Sequence, residues 1–453
     1  MPHTAKQTTT DMTVGAIHPL ILKFALPLIA GNLFQQLYNT VDCVIVGNYV
    51  GKEALAAIGS TSSLINAIIG FFMGLAAGGS VVISQYFGAH DIPNVRRTSH
   101  TMLLGSIIAG AFSVGFGLIA SPVVLRFMST PADVFAMANL YLKIYFSGAL
   151  FQMVYNVAAG ILRALGDSTR PLYFLIVSSV VNVGLDVLFV MVCGWGIAGA
   201  AYATIISQAV SMLLVLWVMI RTTEVYQIKL RELKIHRDAL RRVLKLGLPG
   251  GIQMSVTAFS NVFVMGYINR FGSACMAGWT CFNKIDQISL LPIQSVALSV
   301  TTFVGQNFGA HNGKRIKEGV KTALQLAFIW NMLIILVFEL LPTHLISMFN
   351  RDATVLYYGK LFLRVGAPFY VFRVLNQVFA GSLRGLGNAL APTIVFLSSF
   401  VVFRQLYLAV STHLTSSFIP VSLAYPVGWG LCGILMTIVH LVYTKKRVPL
   451  LLG

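Results

Sequence analysis

The chain has 453 residues, of which 57% are hydrophobic and only 10% are charged, whereas a soluble globular domain carries about 25% charged residues. This composition excludes a soluble domain and predicts a membrane protein. The formal net charge of +18 would suggest nucleic-acid binding in a soluble protein. In a membrane protein the positions of the basic residues matter more than their sum.

Apolar stretches of about 20 residues recur along the chain, and each is long enough to cross a hydrocarbon core of about 30 Å as a helix. The weakly alternating segments that mark a membrane barrel are absent from the sequence. The polar start MPHTAKQTTTDMTVG lacks the pattern of a signal peptide, so the first helix is expected to remain in the mature protein. We therefore predict an all-α polytopic membrane protein. Its twelve transmembrane helices are expected at 17–48, 54–84, 94–121, 134–163, 170–193, 196–221, 244–270, 276–306, 314–341, 354–384, 390–411 and 424–444.

Basic residues gather after the even-numbered spans. Arg96 and Arg97 follow the second span, and the most basic stretch of the chain, 222–243, follows the sixth. Lys445 and Lys446 come after the last span. By the positive-inside rule, both termini and the stretch 222–243 are predicted to be cytoplasmic. A topology signal is the favoured interpretation of this stretch, and binding to lipid or nucleic acid is the alternative.

The sequence contains an internal repeat. SQYFGAHD at 84–91 reappears as GQNFGAHN at 305–312, an offset of 221 residues, and AGILRALGD from Ala159 aligns with AGSLRGLGN from Ala380 at the same offset. These matches indicate a tandem duplication of a six-span unit, which gives two parallel six-helix repeats. We predict an N-lobe at 1–221, a basic linker at 222–243 and a C-lobe at 244–453. The glycines of the duplicated motif, Gly88 and Gly309, are expected to end their helices in the left-handed conformation, a structural role.

The chain resembles the multidrug and toxic compound extrusion transporters, specifically the bacterial DinF/NorM-like members. The resemblance lies in the two six-helix lobes, in LPLIAGNLFQQLYNTVDCVIVG of the first span, in QYFGAH after the second and in the LRALGD turn. It implies a V-shaped two-lobe transporter whose central cavity opens alternately to each side. It also implies a secondary active antiporter of the bacterial cytoplasmic membrane that exports amphipathic compounds or drugs in exchange for H⁺ or Na⁺. Relatives in the same superfamily flip lipid-linked saccharides, so a flippase or exporter of anionic lipid-linked precursors or other anionic metabolites is the alternative.

No nucleotide-binding signature GxxxxGK[ST] occurs, and the five cysteines form no CxxC pair and have no neighbouring histidine cluster. We therefore expect no metal site, no cofactor and no enzymatic activity, so an ion gradient would drive transport. A channel has no support because the repeat shows no filter-like segment. The expected partners are small amphipathic molecules, H⁺ or Na⁺ and membrane lipids, without nucleic acid, and the protein is expected to be a monomer.

Carboxylates inside membrane spans are costly and usually serve a function. Asp42 lies in the first span and Asp186 in the fifth, where Asn182 shares its helix face. Together with Thr204, these residues match the N-lobe cation and proton site of the DinF-like members position by position. The resemblance thus assigns ion coupling to Asp42, Asn182, Asp186 and Thr204. Hydrogen bonds that merely join helices are the alternative role.

The second lobe does not repeat this acidic site. At the offset of 221, Asn182 aligns with Phe403 and Asp186 with Tyr407, so coupling is expected in the first lobe alone. Pro27 and Gly31 interrupt the first span and are a candidate hinge, for which a static kink is the alternative.

Other polar side chains within the spans are candidates for a substrate cavity. They are Gln35, Tyr38, Asn39, Tyr155, Asn156, Gln253, Asn261, Arg373, Gln377 and Arg404. The two arginines are expected to face the cavity or an internal partner, because exposure to lipid would cost at least about 2.5 kcal/mol each. Pairing with Asp286 or with helix carbonyls is the favoured role. If they line the cavity instead, the substrates should be anionic or zwitterionic.

Overall fold

The computed structural model describes residues 9–127, 130–415 and 417–447, and this part of the chain is helical without any strand. The helices are α1 (Ile17–Tyr49), α2 (Lys52–Gly88), α3 (Ile92–Phe127), α4 (Ala132–Ser147), α5 (Ala149–Ala164), α6 (Thr169–Asp186), α7 (Gly196–Arg221), α8 (Arg237–Asn269), α9 (Ser273–Gly309), α10 (Gly313–Leu340), α11 (Pro342–Ser347), α12 (Ala353–Gly366), α13 (Tyr370–Gly385), α14 (Leu390–Leu397), α15 (Arg404–Leu414) and α16 (Ile419–Arg447).

The predicted all-α class is confirmed. Within the described residues, nine helices are long and apolar enough to cross a membrane, and the pair α4–α5, bent by 47°, makes a tenth. Helical segments also lie at the other two predicted positions, as α8 and as the pair α12–α13. These two are less apolar because α8 begins with basic turns and α13 carries Arg373 and Arg384.

The fourth span of each repeat is broken at the same place. In the first repeat the break between α4 and α5 falls at Gly148, and in the second a 3-10 turn, Ala367–Phe369, separates α12 from α13. Gly148 and Phe369 are 221 residues apart, which is the offset of the repeat. The proline within Ala367–Phe369 has no amide hydrogen to donate, so an uninterrupted α-helix is disfavoured there.

The chain forms two compact units. Unit 1 contains Pro27–Gly251, and unit 2 contains Met12–Leu26 together with the residues from Ile252 onward. Both boundaries fall inside a helix, at Pro27 in α1 and two residues after Pro249 in α8. The first turns of α1 therefore belong to unit 2, and the first turns of α8 belong to unit 1. The linker at 222–243 as a lobe boundary stays a prediction.

The duplicated motif ends its helices in a different way from the one predicted. α2 and α9 end at Gly88 and Gly309, but the left-handed residues are His90 and His311, each with φ of 56°. In both copies the amide after the histidine donates to the carbonyl five residues back, at 2.9 Å, which closes the helix end. The prediction of left-handed glycines was wrong because the helix continues through them. Histidine is among the side chains that tolerate this conformation.

Each copy of the motif also contacts the start of a distant helix. In unit 2, the Met12 amide donates to Gln306 Oε1 at 2.8 Å, and Asn307 Nδ2 donates to the Met12 carbonyl at 3.1 Å. In unit 1, the guanidinium of Arg242 lies over the ring of Tyr86 at 5.3 Å. The motif thus fixes the segment that leads into α1 in one copy and the first turns of α8 in the other.

Glycines allow α2 and α8 to touch through their backbones in unit 1. A Cβ atom on Gly74 would lie 2.2 Å from the Gly251 nitrogen, and one on Gly78 would lie 2.2 Å from the Gly247 nitrogen. The two pairs are spaced four residues apart on each helix, which is the small-xxx-small pattern of close helix crossings in membranes. No side-chain movement can relieve these contacts, because the obstacle is backbone.

This crossing predicts the effect of adding one methyl group. Gly78→Ala should lower the stability of the purified protein by about 2 kcal/mol, because the new methyl overlaps the α8 backbone. The control is Gly59→Ala on the same helix, where a Cβ meets nothing within 4 Å and helix propensity favours alanine. Thermal unfolding in detergent measures both variants. An unfolding temperature of Gly78→Ala at or above that of wild type would contradict the prediction.

Candidate functional site

Four predicted site residues lie on three helices of unit 1. Asp42 is on α1, Asn182 and Asp186 are on α6, and Thr204 is on α7, which packs against α6. The exposed fractions of Asp42, Asn182 and Asp186 are 8%, 1% and 0%. Asp42 and Asp186 are close enough for the charge of one to act on the other. Two acids therefore share one buried region.

The polar atoms of this cluster are largely unsatisfied. Among the described residues, Asp42 Oδ1, both side-chain polar atoms of Asn182 and both carboxylate oxygens of Asp186 are buried without a hydrogen-bond partner. Buried polar groups in proteins are normally bonded, so each unpaired atom requires an explanation. The Thr204 hydroxyl donates to the Ala200 carbonyl at 3.0 Å and keeps its oxygen lone pairs available. These oxygens could accept a proton or ligate a hard cation.

A tyrosine that is not among the predicted site residues lies near the acids. Tyr141 of α4 is buried and lies within electrostatic range of both Asp42 and Asp186. One turn later, the Tyr145 hydroxyl donates to Gln152 Oε1 at 3.0 Å. The detectable signal was a tyrosine pair at i and i+4 within a span.

The helix geometry changes at Asp186. It is the last residue of α6, and the chain continues as a π-helical turn, Val187–Val192. Single π-helical turns inside α-helices occur frequently at functional sites. The acid thus sits where the backbone hydrogen-bonding pattern switches.

The cavity candidates of unit 1 have different environments. Gln35 and Tyr38 are half-buried, and the Tyr38 hydroxyl interacts with Gln35 and the charge of Asp42. Asn39 is exposed. Tyr155 is buried and donates to the Pro171 carbonyl at 3.2 Å, which fixes its ring. Gln35 and Tyr38 therefore lie near the acidic cluster, whereas the hydrogen bond of Tyr155 indicates a structural role.

Asn156, the remaining candidate of unit 1, is half-buried on α5 and lines a separate cavity between α2, α3, α5 and the first turns of α8. None of the four predicted ion-coupling residues lines that cavity.

In unit 2, Arg373 forms a buried ion pair. Its guanidinium donates to Asp286 Oδ1, which also accepts the hydroxyl of Tyr370. The guanidinium lies 4.6 Å from the centre of the Tyr370 ring and 4.7 Å from that of Trp429. Pairing with Asp286 was the favoured alternative to a cavity role, and the contacts of Arg373 correspond to that alternative. Its charge is neutralised within the helix bundle.

Arg404 is buried without an acidic partner. Its Nη2 donates to Ser260 Oγ at 2.9 Å and to Asn261 Oδ1 at 2.8 Å, and its charge lies 4.7 Å from the Tyr425 ring. Its Nε has no hydrogen-bond partner, and no carboxylate pairs with it in the described parts of the chain. The side chain is only 2% exposed. Unit 2 therefore contains a buried positive charge bonded to neutral groups alone.

The remaining candidates of unit 2 have no hydrogen bond to Arg404 among the described residues. Gln253 accepts a hydrogen bond from Arg384 at 3.1 Å, and Gln377 is half-buried on α13. Thus the structure joins Asn261 and Arg404 by a hydrogen bond. The two arginines are neighbours through aromatic rings, because the Tyr425 ring beside Arg404 lies 6.2 Å from the Trp429 ring beside Arg373.

Burial corrects the alignment between the two repeats. In the second repeat a π-helical turn, Ser398–Phe403, precedes Arg404, whereas in the first the π-helical turn follows Asp186. A π-helical turn takes up one more residue than an α-helical turn, so the buried face is displaced by one position between these points. The buried series are Phe174, Ser178, Asn182 and Asp186 in one copy and Val395, Ser399, Arg404 and Leu408 in the other. The counterparts of Asn182 and Asp186 are therefore Arg404 and Leu408, and the alignment with Phe403 and Tyr407 was wrong.

These features define a multi-pass helical membrane protein made of two related halves. The family model described as MatE matches the chain twice, at residues 27–188 and 249–408, which together are well over half of its length. The chain belongs to the MatE family, and the resemblance to bacterial multidrug and toxic compound extrusion transporters is confirmed.

Relatives and solved structures agree with this assignment. A Bacillus subtilis protein named "Probable multidrug resistance protein YpnP" is 32% identical over 402 residues, which are 88% of this chain and 89% of that protein. The Thermotoga maritima protein named "Probable multidrug resistance protein NorM" is 23% identical over 84% of this chain and 83% of its own. A solved structure of a MOP superfamily transporter from Pyrococcus furiosus is similar in fold, with a TM-score of 0.91 and 24% identity over 98% of this chain and 99% of that one.

The ion pair of unit 2 provides a test of its structural role. Asp286→Asn should lower stability by about 3–5 kcal/mol, because Arg373 is left buried and uncompensated. The control is Glu232→Gln, which breaks the exposed Lys229–Glu232 pair at 3.1 Å and should cost less than about 1 kcal/mol. The double variant Asp286→Asn with Arg373→Gln should recover part of the loss. Equal unfolding temperatures for wild type and Asp286→Asn would show that the pair has no structural importance.

Proposed function

We propose that this protein is a secondary active antiporter that exports amphipathic organic compounds, including drugs, in exchange for H⁺ or Na⁺. The observation that supports it most is the group of buried, unpaired oxygens on Asp42, Asn182 and Asp186. Family membership and the printed names of the relatives, which refer to multidrug resistance, support export of drugs. The basic residues after even-numbered spans support cytoplasmic termini.

The acidic cluster suggests how an ion gradient would be used. Two carboxylates in one buried region repel each other when both are charged, so the cluster gains from binding a proton or a cation. Asp42 and Asp186 would hold the proton or carry the negative charge for Na⁺. Asn182 and Thr204 would supply neutral oxygen atoms. Occupancy removes the repulsion and lets α1, α6 and α7 approach, which changes the shape of the substrate-binding region in unit 1.

The hinge is proposed at Pro27, with Gly31 one turn further along α1. Pro27 interrupts the helix hydrogen bonds and coincides with the boundary between units 1 and 2. At Gly31 a Cβ atom would lie 3.3 Å from Leu175 of α6, so the hinge region is in close contact with the helix that carries Asp186. A change in the acidic cluster can therefore reach the bend through α6. Alternating access of the substrate site would follow from this motion.

Neutralising one acid tests the proposed coupling. Asp42→Asn preserves the size of the side chain but makes it permanently neutral, so it cannot bind and release a proton. Gradient-driven export should therefore fall at least about tenfold. Thr204→Val should have a smaller effect, because it removes one neutral ligand and no charge. Efflux of a cationic dye from proteoliposomes, under a pH gradient or a Na⁺ gradient imposed separately, measures the variants and identifies the coupling ion.

The control for this experiment is Asp352→Asn. Asp352 is an exposed residue that accepts bonds from the amides of Thr354 and Val355 at the start of α12, and asparagine fills the same role. It should transport at the wild-type rate. Wild-type export by Asp42→Asn under both gradients would refute the coupling role.

Arg404 favours a second candidate function, the export or flipping of anionic compounds. Unlike Arg373, it has no acidic partner in the described residues, so an anionic group of a substrate could compensate its charge. The neighbouring Asn261 is exposed. This proposal concerns the substrate, and it retains an ion-coupled carrier.

Substrate profiles distinguish the two functions. If Arg404 binds an anionic group, Arg404→Gln should reduce transport of anionic and zwitterionic compounds about tenfold or more, while cationic dyes are unaffected. Arg404→Lys should retain part of the anionic transport because it keeps the charge. Rescue of envelope synthesis in a flippase-deficient strain tests lipid-linked substrates separately. An unchanged profile for Arg404→Gln would leave the arginine with a purely structural role.

A further inference from the structure

Unit 1 contains a cavity of about 210 Å³ that the proposed transport cycle does not use. It lies between α2, α3, α5 and the first turns of α8, and eleven of its fourteen lining residues are apolar. Two of the polar ones, Thr101 and Ser106, donate their hydroxyl hydrogens to carbonyls of their own helix at 2.8 and 2.7 Å. The wall is therefore mainly hydrocarbon, which fits an aliphatic chain.

One end of this cavity is basic. On α3, Arg97 lies one turn before the lining series Thr101, Gly105 and Ala109. On α8, Arg237 lies one turn before Leu240, on the face that lines the cavity. Both arginines are exposed.

The two arginines lie at the same end because the starts of their helices are joined. The His236 amide, immediately before α8, donates to Thr101 Oγ1 at 3.1 Å. Asp238 is exposed and is turned by helical spacing away from the α8 residues that line the cavity.

We propose that this cavity binds an acyl chain of an anionic phospholipid, with the phosphate held between Arg97 and Arg237. The lining series on α3 extends from Thr101 to Ala109, a rise of about 12 Å, which is close to the roughly 15 Å depth of one membrane leaflet. Basic residues at the membrane surface attract anionic lipids. The site is independent of the proposed coupling by Asp42 and Asp186.

A single substitution should fill the cavity and block lipid binding. A Cβ atom on Gly105 meets nothing within 4 Å, so the side chain of Gly105→Phe should enter the cavity. Gly115→Phe is the matched control, since it lies on the same helix, also has open space, and does not line the cavity. Where Gly105→Phe does not fold, Gly105→Leu replaces it.

Binding is measured by native mass spectrometry of the purified protein titrated with phosphatidylglycerol or phosphatidylcholine of identical acyl chains. Wild type and Gly115→Phe should bind phosphatidylglycerol more tightly, and Gly105→Phe should lose this binding about tenfold. Arg97→Gln combined with Arg237→Gln should weaken it roughly thirtyfold, as expected for two charges at about 1 kcal/mol each. The control pair Lys445→Gln with Lys446→Gln should bind like wild type.

Three results would overturn the lipid site. They are equal binding of the two lipids by wild type, unchanged phosphatidylglycerol binding by Gly105→Phe, and binding of glycerol phosphate without any acyl chain. A transported dye could also displace the lipid one for one. If it did so in wild type and Gly115→Phe but not in Gly105→Phe, the cavity would be assigned to the substrate instead. A failure of ion coupling in Asp42→Asn would leave the lipid result unaffected.

Discussion

Charge in hydrocarbon is costly, and this constraint organises the interior of both units. Arg373 and Asp286 compensate this cost by pairing, and two aromatic rings pack against the guanidinium. For Arg404 the cost is compensated only in part, by hydrogen bonds to a hydroxyl and an amide group. For Asp42 and Asp186 most of the desolvation cost is uncompensated, because their buried oxygens lack hydrogen-bond donors. The difference separates a paired charge from unpaired charged groups, for which binding of an ion or a substrate is proposed.

The two halves have the same helical architecture but differ in the charge of their buried polar residues. Because the π-helical turn comes before the buried polar position in one half and after it in the other, the residue that corresponds to Asn182 is Arg404. One copy thus presents carboxylates, and the other presents a guanidinium bonded to Asn261. Asn261 itself corresponds to Asn39, because the first span of each repeat aligns at an offset of 222 residues, one more than the duplicated motif. At corresponding buried positions the first half has Asn182 and Asp186, and the second has Arg404 and Leu408.

Much of the fold could be predicted from the sequence, since apolar length sets each span and the recurring motifs give the duplication. The acids of unit 1 were also predictable, because a carboxylate in an apolar stretch is conspicuous. Tyr141 was missed because a tyrosine is common in spans. The position of the π-helical turns has no sequence signal in periodicity, so the offset alone gave Phe403 instead of Arg404. The assignment of the first turns of α1 to unit 2 depends on contacts such as that of Met12 with Gln306, which hydropathy does not report.

The ion pair of unit 2 also bears on how the protein enters the membrane. Asp286 is made 87 residues before Arg373, so at about 5–20 residues per second it is without its partner for roughly 4 to 17 s. An unpaired aspartate inside a span opposes insertion, by about 2.5–3.5 kcal/mol where it lies at the helix centre. During this interval the partition of α9 into lipid is disfavoured, and α9 is expected to reach its full stability only after α13 has been made. The stability of an early helix in the second half therefore depends on a helix that is synthesised later.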